Sequence, residues 1–132
     1  MREILFRGKR TDNGEWVKGF YCVFNKKKHL IYTGCAEAGC GNYYSVGCEV
    51  DPKTIGQYTG MDDRNDTKIF EGDIVEGNRL GGIYRCQICY IKGLARFIGL
   101  RGTGYTKFTY DSDGFEIIGN VYDNPELLKE RE

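Results

Sequence analysis

Short apolar runs, each broken by glycine or by a polar cluster, give this chain the period of extended strands and tight turns rather than of helices. Glu15 to Phe24 reads as one strand. The polar Asn25-Lys26-Lys27-Lys28 connects it to a second, Leu30 to Thr33, and the pair is expected to form a hairpin with a charged, solvated tip. Gly34 to Gly47 carries four glycines and little periodicity, which predicts a loop. Asp51-Pro52 biases the backbone toward an extended or turning connection and places a subdomain boundary near residues 50–54.

From Ile55 the strand pattern resumes. Ile55 to Gly60 leads into the polar Asp62-Asp63-Arg64-Asn65-Asp66, Lys68 to Glu76 returns with a turn at Gly72-Asp73, and Ile83 to Ile91 and Leu94 to Ile98 form further strands about Gly93. Tyr105 to Tyr110 is expected to pair as a hairpin with Phe115 to Tyr122 through a turn at Asp113-Gly114. Asn124, followed by Pro125 and Glu126, is placed to cap a short helix that docks Leu127 and Leu128 on the sheet. So short a helix is stable only when packed.

Composition narrows the picture. At 132 residues the chain can bury roughly two-thirds of its unfolded surface, enough to fold without disulfides or metal. Ten tyrosines, seven phenylalanines and nineteen glycines against two prolines agree with a mostly-β fold, read as a β subdomain over 1–54 and a second over 55–132. Nineteen basic side chains balance nineteen acidic ones, which removes the broad positive field of most sequence-tolerant nucleic-acid binders and leaves room only for a local basic strip. The opening residues have too short an apolar run for a signal-peptide core, and no stretch reaches the roughly 20 apolar residues of a membrane span, so a cytoplasmic protein without a membrane partner is expected. In that reducing compartment, Cys22, Cys35, Cys40, Cys48, Cys86 and Cys89 are expected to be free thiols.

Three segments carry a family resemblance. Arg2-Glu3-Ile4-Leu5-Phe6-Arg7-Gly8-Lys9-Arg10 with Asp12-Asn13-Gly14-Glu15-Trp16-Val17 opens it; Gln57 to Asp63 with Ile69-Phe70-Glu71-Gly72-Asp73-Ile74-Val75 forms its centre; Ile118-Gly119-Asn120-Val121-Tyr122-Asp123-Asn124-Pro125-Glu126-Leu127-Leu128 closes it. Together they resemble the YopX family of bacteriophages and prophages. The resemblance implies an SH3-like small barrel in the C-terminal part, an N-terminal β segment packed beside it, a bacterial host cytoplasm and no established biochemical activity. The family's glycine before the Lys-x-Ile strand is replaced here by Asn65-Asp66-Thr67, residues that tolerate positive φ.

Cys86-Gln87-Ile88-Cys89 has the spacing of half a zinc site, with Cys35, Cys40, Cys48 and His29 as conceivable partners. In a strand, however, Cys86 faces the same way as Ile88 while Cys89 faces the other, so packed thiols are the expectation. Asp62 to Asp66 imitates a calcium loop but puts Arg64 and Thr67 where a ligand and a glycine belong, and reads as a turn. His29 sits beside three lysines at the hairpin tip, where burial is not expected and no nucleophile is aligned with it. The carboxylates Glu71 and Asp73, and Asp111 and Asp113, suit turns, and Gly77 to Gly82 lacks the Lys-Ser/Thr of a phosphate loop. No catalytic, cofactor-binding or metal-ligating residue is assigned.

The chain therefore reads as a non-enzymatic protein-interaction module, with self-association into a homo-oligomer open to it through its strand edges. The alternative is a nucleic-acid-associated small barrel using Arg79, Arg85, Lys92, Arg96, Arg101 and Lys107 interleaved with Tyr84, Tyr90, Tyr105 and Tyr110.

Overall fold

Strand alternation in the sequence becomes eleven strands among the described residues of the computed structural model, which are 3–37, 43–79, 82–101, 104–107 and 114–129. They are β1 (Phe6–Lys9), β2 (Trp16–Phe24), β3 (Lys28–Glu37), β4 (Tyr43–Glu49), β5 (Gly56–Asp62), β6 (Lys68–Phe70), β7 (Asp73–Arg79), β8 (Gly82–Ile91), β9 (Arg96–Arg101), β10 (Gly104–Lys107) and β11 (Glu116–Asn120). The fold is mostly β and built from antiparallel sheets, and it divides into two units, Met1–Tyr58 and Thr59–Glu132.

In the first unit the strand order is β4-β3-β2-β1-β5. The expected hairpin is present: Phe24 faces Lys28 across the β2–β3 end, and Asn25 and Lys26 adopt positive φ of 52° and 59° while the Lys27 N–H donates to the Phe24 carbonyl at 3.2 Å. Two successive left-handed residues match the twist of the flanking strands. Ile31 and Val50 are essentially inaccessible and form the core, with Val50 seated against Gly8. Gly19 lets β3 approach, since a Cβ there would lie 2.0 Å from the Tyr32 carbonyl oxygen. After β4, Asp51 is extended and caps a 3-10 turn, Pro52–Thr54, by accepting from the Lys53 N–H at 3.0 Å.

The predicted loop over residues 34–47 is instead mostly strand. β3 runs on to Glu37, and β4 pairs with it from Tyr43, across a register shift between Tyr32 and Gly34. Backbone pairing carries this part of the hairpin, so side-chain periodicity was a poor guide to it. Residues 38–42 lie outside the described set.

In the second unit β5 pairs on with β6, and a five-stranded sheet follows in the order β10-β9-β8-β7-β11. Its core is the buried cluster Ile69, Val75, Tyr84, Cys86, Ile88 and Phe115, with Phe115 edge-on to Tyr84. Gly72 is the crossing point. Its N–H donates to the Ile88 carbonyl at 2.8 Å, its carbonyl accepts from the Val121 N–H at 2.9 Å, and its φ of +90° is one that only glycine adopts without strain. The space where a Cβ would stand is taken by the Tyr122 ring, 2.9 Å away.

Two further expectations are corrected here. The described part of the first expected strand, Tyr105 to Lys107, does not pair with Phe115 to Tyr122: β10 pairs with β9 and β11 with β7, at opposite edges of the sheet, because long-range pairing outweighs the local turn signal. Residues 108–113, which hold that turn's Asp113, are outside the described set. The C-terminal helix is only a 3-10 turn, Pro125–Leu128. The Asn124 oxygen does not cap it but accepts from the Asn120 N–H at 3.3 Å. Leu127 still docks, its Cδ1 filling the space above Gly119. Among the described residues the five-stranded sheet does not close into a barrel.

Gly72→Ala is expected to cost about 2 kcal/mol, combining left-handed strain with the collision at Tyr122. Gly93→Ala, where the space is open, is expected to be close to neutral. Urea unfolding of both variants checks this, and equal losses would contradict it.

Candidate interaction surface

The chemistry-bearing side chains that the sequence offers are held apart by the strands that carry them. Cys86 is fully buried opposite Val75, whereas Cys89, opposite Ile98, is half-buried on the other face of β8. Burial, with the charge of Glu71, pushes the Cys89 thiol up. Cys22 is exposed and Cys48 half-buried. Cys40 lies outside the described residues, as do the side chain of Cys35 and the carboxylates Asp111 and Asp113. His29 is half-buried rather than free at the tip, because its ring stacks on Tyr21 at 5.9 Å and Nδ1 lies 2.6 Å from the Tyr21 hydroxyl. Among the described residues no three His, Cys, Asp or Glu side chains gather as a metal site would require.

The acidic segment after β5 is a turn organised on one carboxylate. Asp63 is buried; its Oδ1 accepts from the N–H groups of Asn65 and Thr67 at 2.8 and 2.9 Å, and its Oδ2 accepts from the Ile117 N–H in β11 at 3.1 Å. Burial pushes its carboxyl up, but the bonds from Ile117, Thr67 and Asn65 and the charge of Arg64 outweigh it, and Asp63 ionises below the usual carboxylate range. Arg64 pairs with Glu116 at the exposed tip. Asp66 takes the left-handed position with φ of +61°. Asp73 is buried too and accepts from the Phe70 N–H at 2.8 Å.

Among the described side chains, the basic and aromatic set of the C-terminal half is divided between the core, the sheet surface and the β8–β9 turn. Tyr84 is in the core, and Arg85 is held by Glu76 at 3.1 Å and by the Leu127 carbonyl. Tyr90 is exposed and meets Phe97 edge-on, while Lys92 and Arg96 follow at the β8–β9 turn. The side chains of Arg79, Arg101, Tyr105 and Lys107, and all of Tyr110, lie outside the described set.

The surface that stands out is the outward face of the β2–β3 hairpin. Register places Phe20, Cys22 and Phe24 on one face, opposite Tyr32, Leu30 and Lys28. Phe20 is 69 % and Phe24 57 % exposed, while Ile31 on the other face is fully buried. The same face continues along β2 through Lys18 to Trp16, which lies beneath the Arg7 guanidinium at 4.8 Å and the Lys9 ammonium at 5.7 Å. Sequence reading missed it. The signal was the run Phe20-Tyr21-Cys22-Val23-Phe24, apolar at every position, so that covering one face in the core leaves the other uncovered.

The sequence model of the YopX protein family matches residues 5–129, nearly the whole chain. The chain belongs to the YopX family. Among solved structures, the crystal structure of protein EF1440 from Enterococcus faecalis is similar at a TM-score of 0.66 and 24 % identity, covering 98 % of this chain and 100 % of that one, a likeness of fold. No curated protein matches. In this YopX-family chain the two central segments that carry the resemblance, Gln57 to Asp63 and Ile69 to Val75, supply Asp63, Gly72 and Asp73, whose polar groups bond to backbone. Of Asn65-Asp66-Thr67, which the resemblance sets where a glycine is expected, Asp66 is the residue at positive φ.

Two measurements follow from this placement. Because the folded-state pKa of Asp63 is depressed, its contribution is complete above the ordinary carboxylate value of about 4 and is lost as pH falls through the lower folded-state value. Asp63→Ala is expected to cost about 3 kcal/mol at neutral pH and Asp63→Asn, which keeps one acceptor oxygen, about half that. Urea unfolding from neutral to acid pH should then show a shallower acid loss for Asp63→Ala than for the native chain, and an unchanged acid limb would contradict the assignment. Among single-cysteine variants, the Cys22 thiol is expected to react fastest with a disulfide reagent, Cys89 slowly, and Cys86 only on unfolding.

Proposed function

We propose that this chain is a non-enzymatic interaction module, encoded by a phage or prophage and working in the bacterial cytoplasm, that meets its partner through the outward face of β2 and β3. One observation carries the proposal. Two phenylalanines of a central strand, Phe20 and Phe24, stand more than half exposed side by side with Cys22, an uncovered apolar face of the kind that marks interaction sites. The face is rigid, since the opposite side of the same strands packs on Ile31 and Gly19. The polar groups that could serve catalysis support the same reading: Asp63 and Asp73 accept from backbone N–H groups, and the Cys86 thiol is enclosed by apolar side chains. No helix among the described residues is long and apolar enough to cross a membrane.

The SH3-like reading of the second unit belongs to this proposal. Its order sets β7, β8, β9 and β10 side by side in chain order and returns β11 to the free edge of β7. That meander with the last strand beside the first is the arrangement of SH3-like barrels, which many unrelated functions reuse as a scaffold.

A photo-crosslinking residue at Phe24, compared with one at the exposed Leu94 of the second unit, tests the proposal in infected or prophage-bearing cells. Crosslinks to a defined macromolecule are expected from position 24 and not from 94. Crosslinks from 94 alone would move the working surface to the second unit.

A further inference from the structure

The partner's chemistry can be read from the same face, on the premise of the interaction-module reading above. We infer that the outward stripe of β2 is a docking track for single-stranded DNA. One face of the strand carries Trp16, Lys18, Phe20, Cys22 and Phe24 in turn, three rings with one cation and one thiol between them, and the adjacent lysines Lys26, Lys27 and Lys28 follow at the hairpin turn. From Trp16 to Phe24 the track is about 27 Å long, and Phe20 and Phe24 are about 13 Å apart along it, room for a base on each ring with one between. A globular protein partner would favour a compact apolar patch with its charges at the rim. A linear polyanion with a flat π face on every unit is instead matched by rings spaced along a strand that ends in a cluster of cations.

Charge supports this occupant. The balanced total hides a division: residues 1–58 hold nine Lys and Arg against six Asp and Glu, while residues 59–132 hold ten against thirteen. The first unit therefore carries a surplus of three positive charges, and the turn of the β2–β3 hairpin contributes three adjacent exposed lysines. Among the described residues, Glu15 adjoins Trp16 in sequence and Glu49 lies opposite Leu30 in register, both exposed. DNA is favoured over RNA because Phe20, Cys22, Phe24 and Leu30 bring no oxygen or amide with which to recognise a ribose 2′-hydroxyl, and the hydroxyl-bearing Tyr32 lies opposite Phe20, away from the lysine turn.

Fluorescence anisotropy of the full chain with a labelled oligothymidylate of about 12 nucleotides tests the inference. Saturable binding that weakens steeply with salt is expected. The Phe20→Ser/Phe24→Ser variant should bind at least about tenfold more weakly, with its unfolding midpoint near that of the native chain because both rings are exposed. Lys26→Gln/Lys27→Gln/Lys28→Gln should reduce the logarithmic salt slope by about 2, and Lys92→Gln/Leu94→Ser in the second unit should change nothing. Absence of binding at low salt, binding undiminished by the phenylalanine variant, tighter binding of oligouridylate, or equal competition by polyglutamate would each overturn it. Should oligothymidylate fail while position 24 still crosslinks to a protein, the DNA track is refuted and the interaction-module reading stands. If both fail, both fall.

Discussion

A carboxylate enclosed among backbone amides is the constraint from which the second unit is built. Asp63 joins its own turn to β11 through three N–H donors, and removing it would strand those donors where water does not compensate. Asp73 repeats the device across the next turn, at Phe70. Gly72 lies between them in sequence, tying β8 to the chain beyond β11 through its own peptide groups. All three tie stretches of backbone together. Carboxylates so engaged hold backbone in place.

That division of labour moves attention to the first unit. There a small core of Ile31 and Val50 faces one way, and the reverse of the same strands carries phenylalanine, cysteine and lysine to the outside. A strand apolar on both faces inside a single-layered region has nowhere to hide its second face. The proposed function takes that uncovered side as the working surface, and the lysine cluster at one end of β2 gives it a direction.

Much of this was legible in the sequence. The alternation of β8, with Cys86 inward and Cys89 away from it, follows from period two alone, and the left-handed turn at Asp66 follows from what Asn and Asp tolerate. What the sequence concealed depended on pairings between distant residues. The glycine-rich stretch after Tyr32 is held as strand by its partner backbone rather than by its own pattern. β10 and β11 are separated by competition for the edges of β9 and β7, which no local turn signal reports. Asn124, a good cap by type, gives its oxygen to Asn120 instead. The outward face of β2 was visible as an unbroken apolar run, yet its exposure follows only from knowing that nothing among the described residues lies over it.

The bond from Ile117 to Asp63 spans 54 positions of sequence, and the link from Val121 to Gly72 is nearly as long. During synthesis, therefore, the β5–β6 turn and the β7–β8 hairpin emerge well before the strand that satisfies them. The second unit must wait for its last strand, and its assembly is governed by a slow, late closure of distant ends rather than by progressive local growth. Any ribosome-bound or truncated product lacking β11 would expose the Phe115 site of the core and an unmet carboxylate, and so present itself to chaperones and proteases as unfinished.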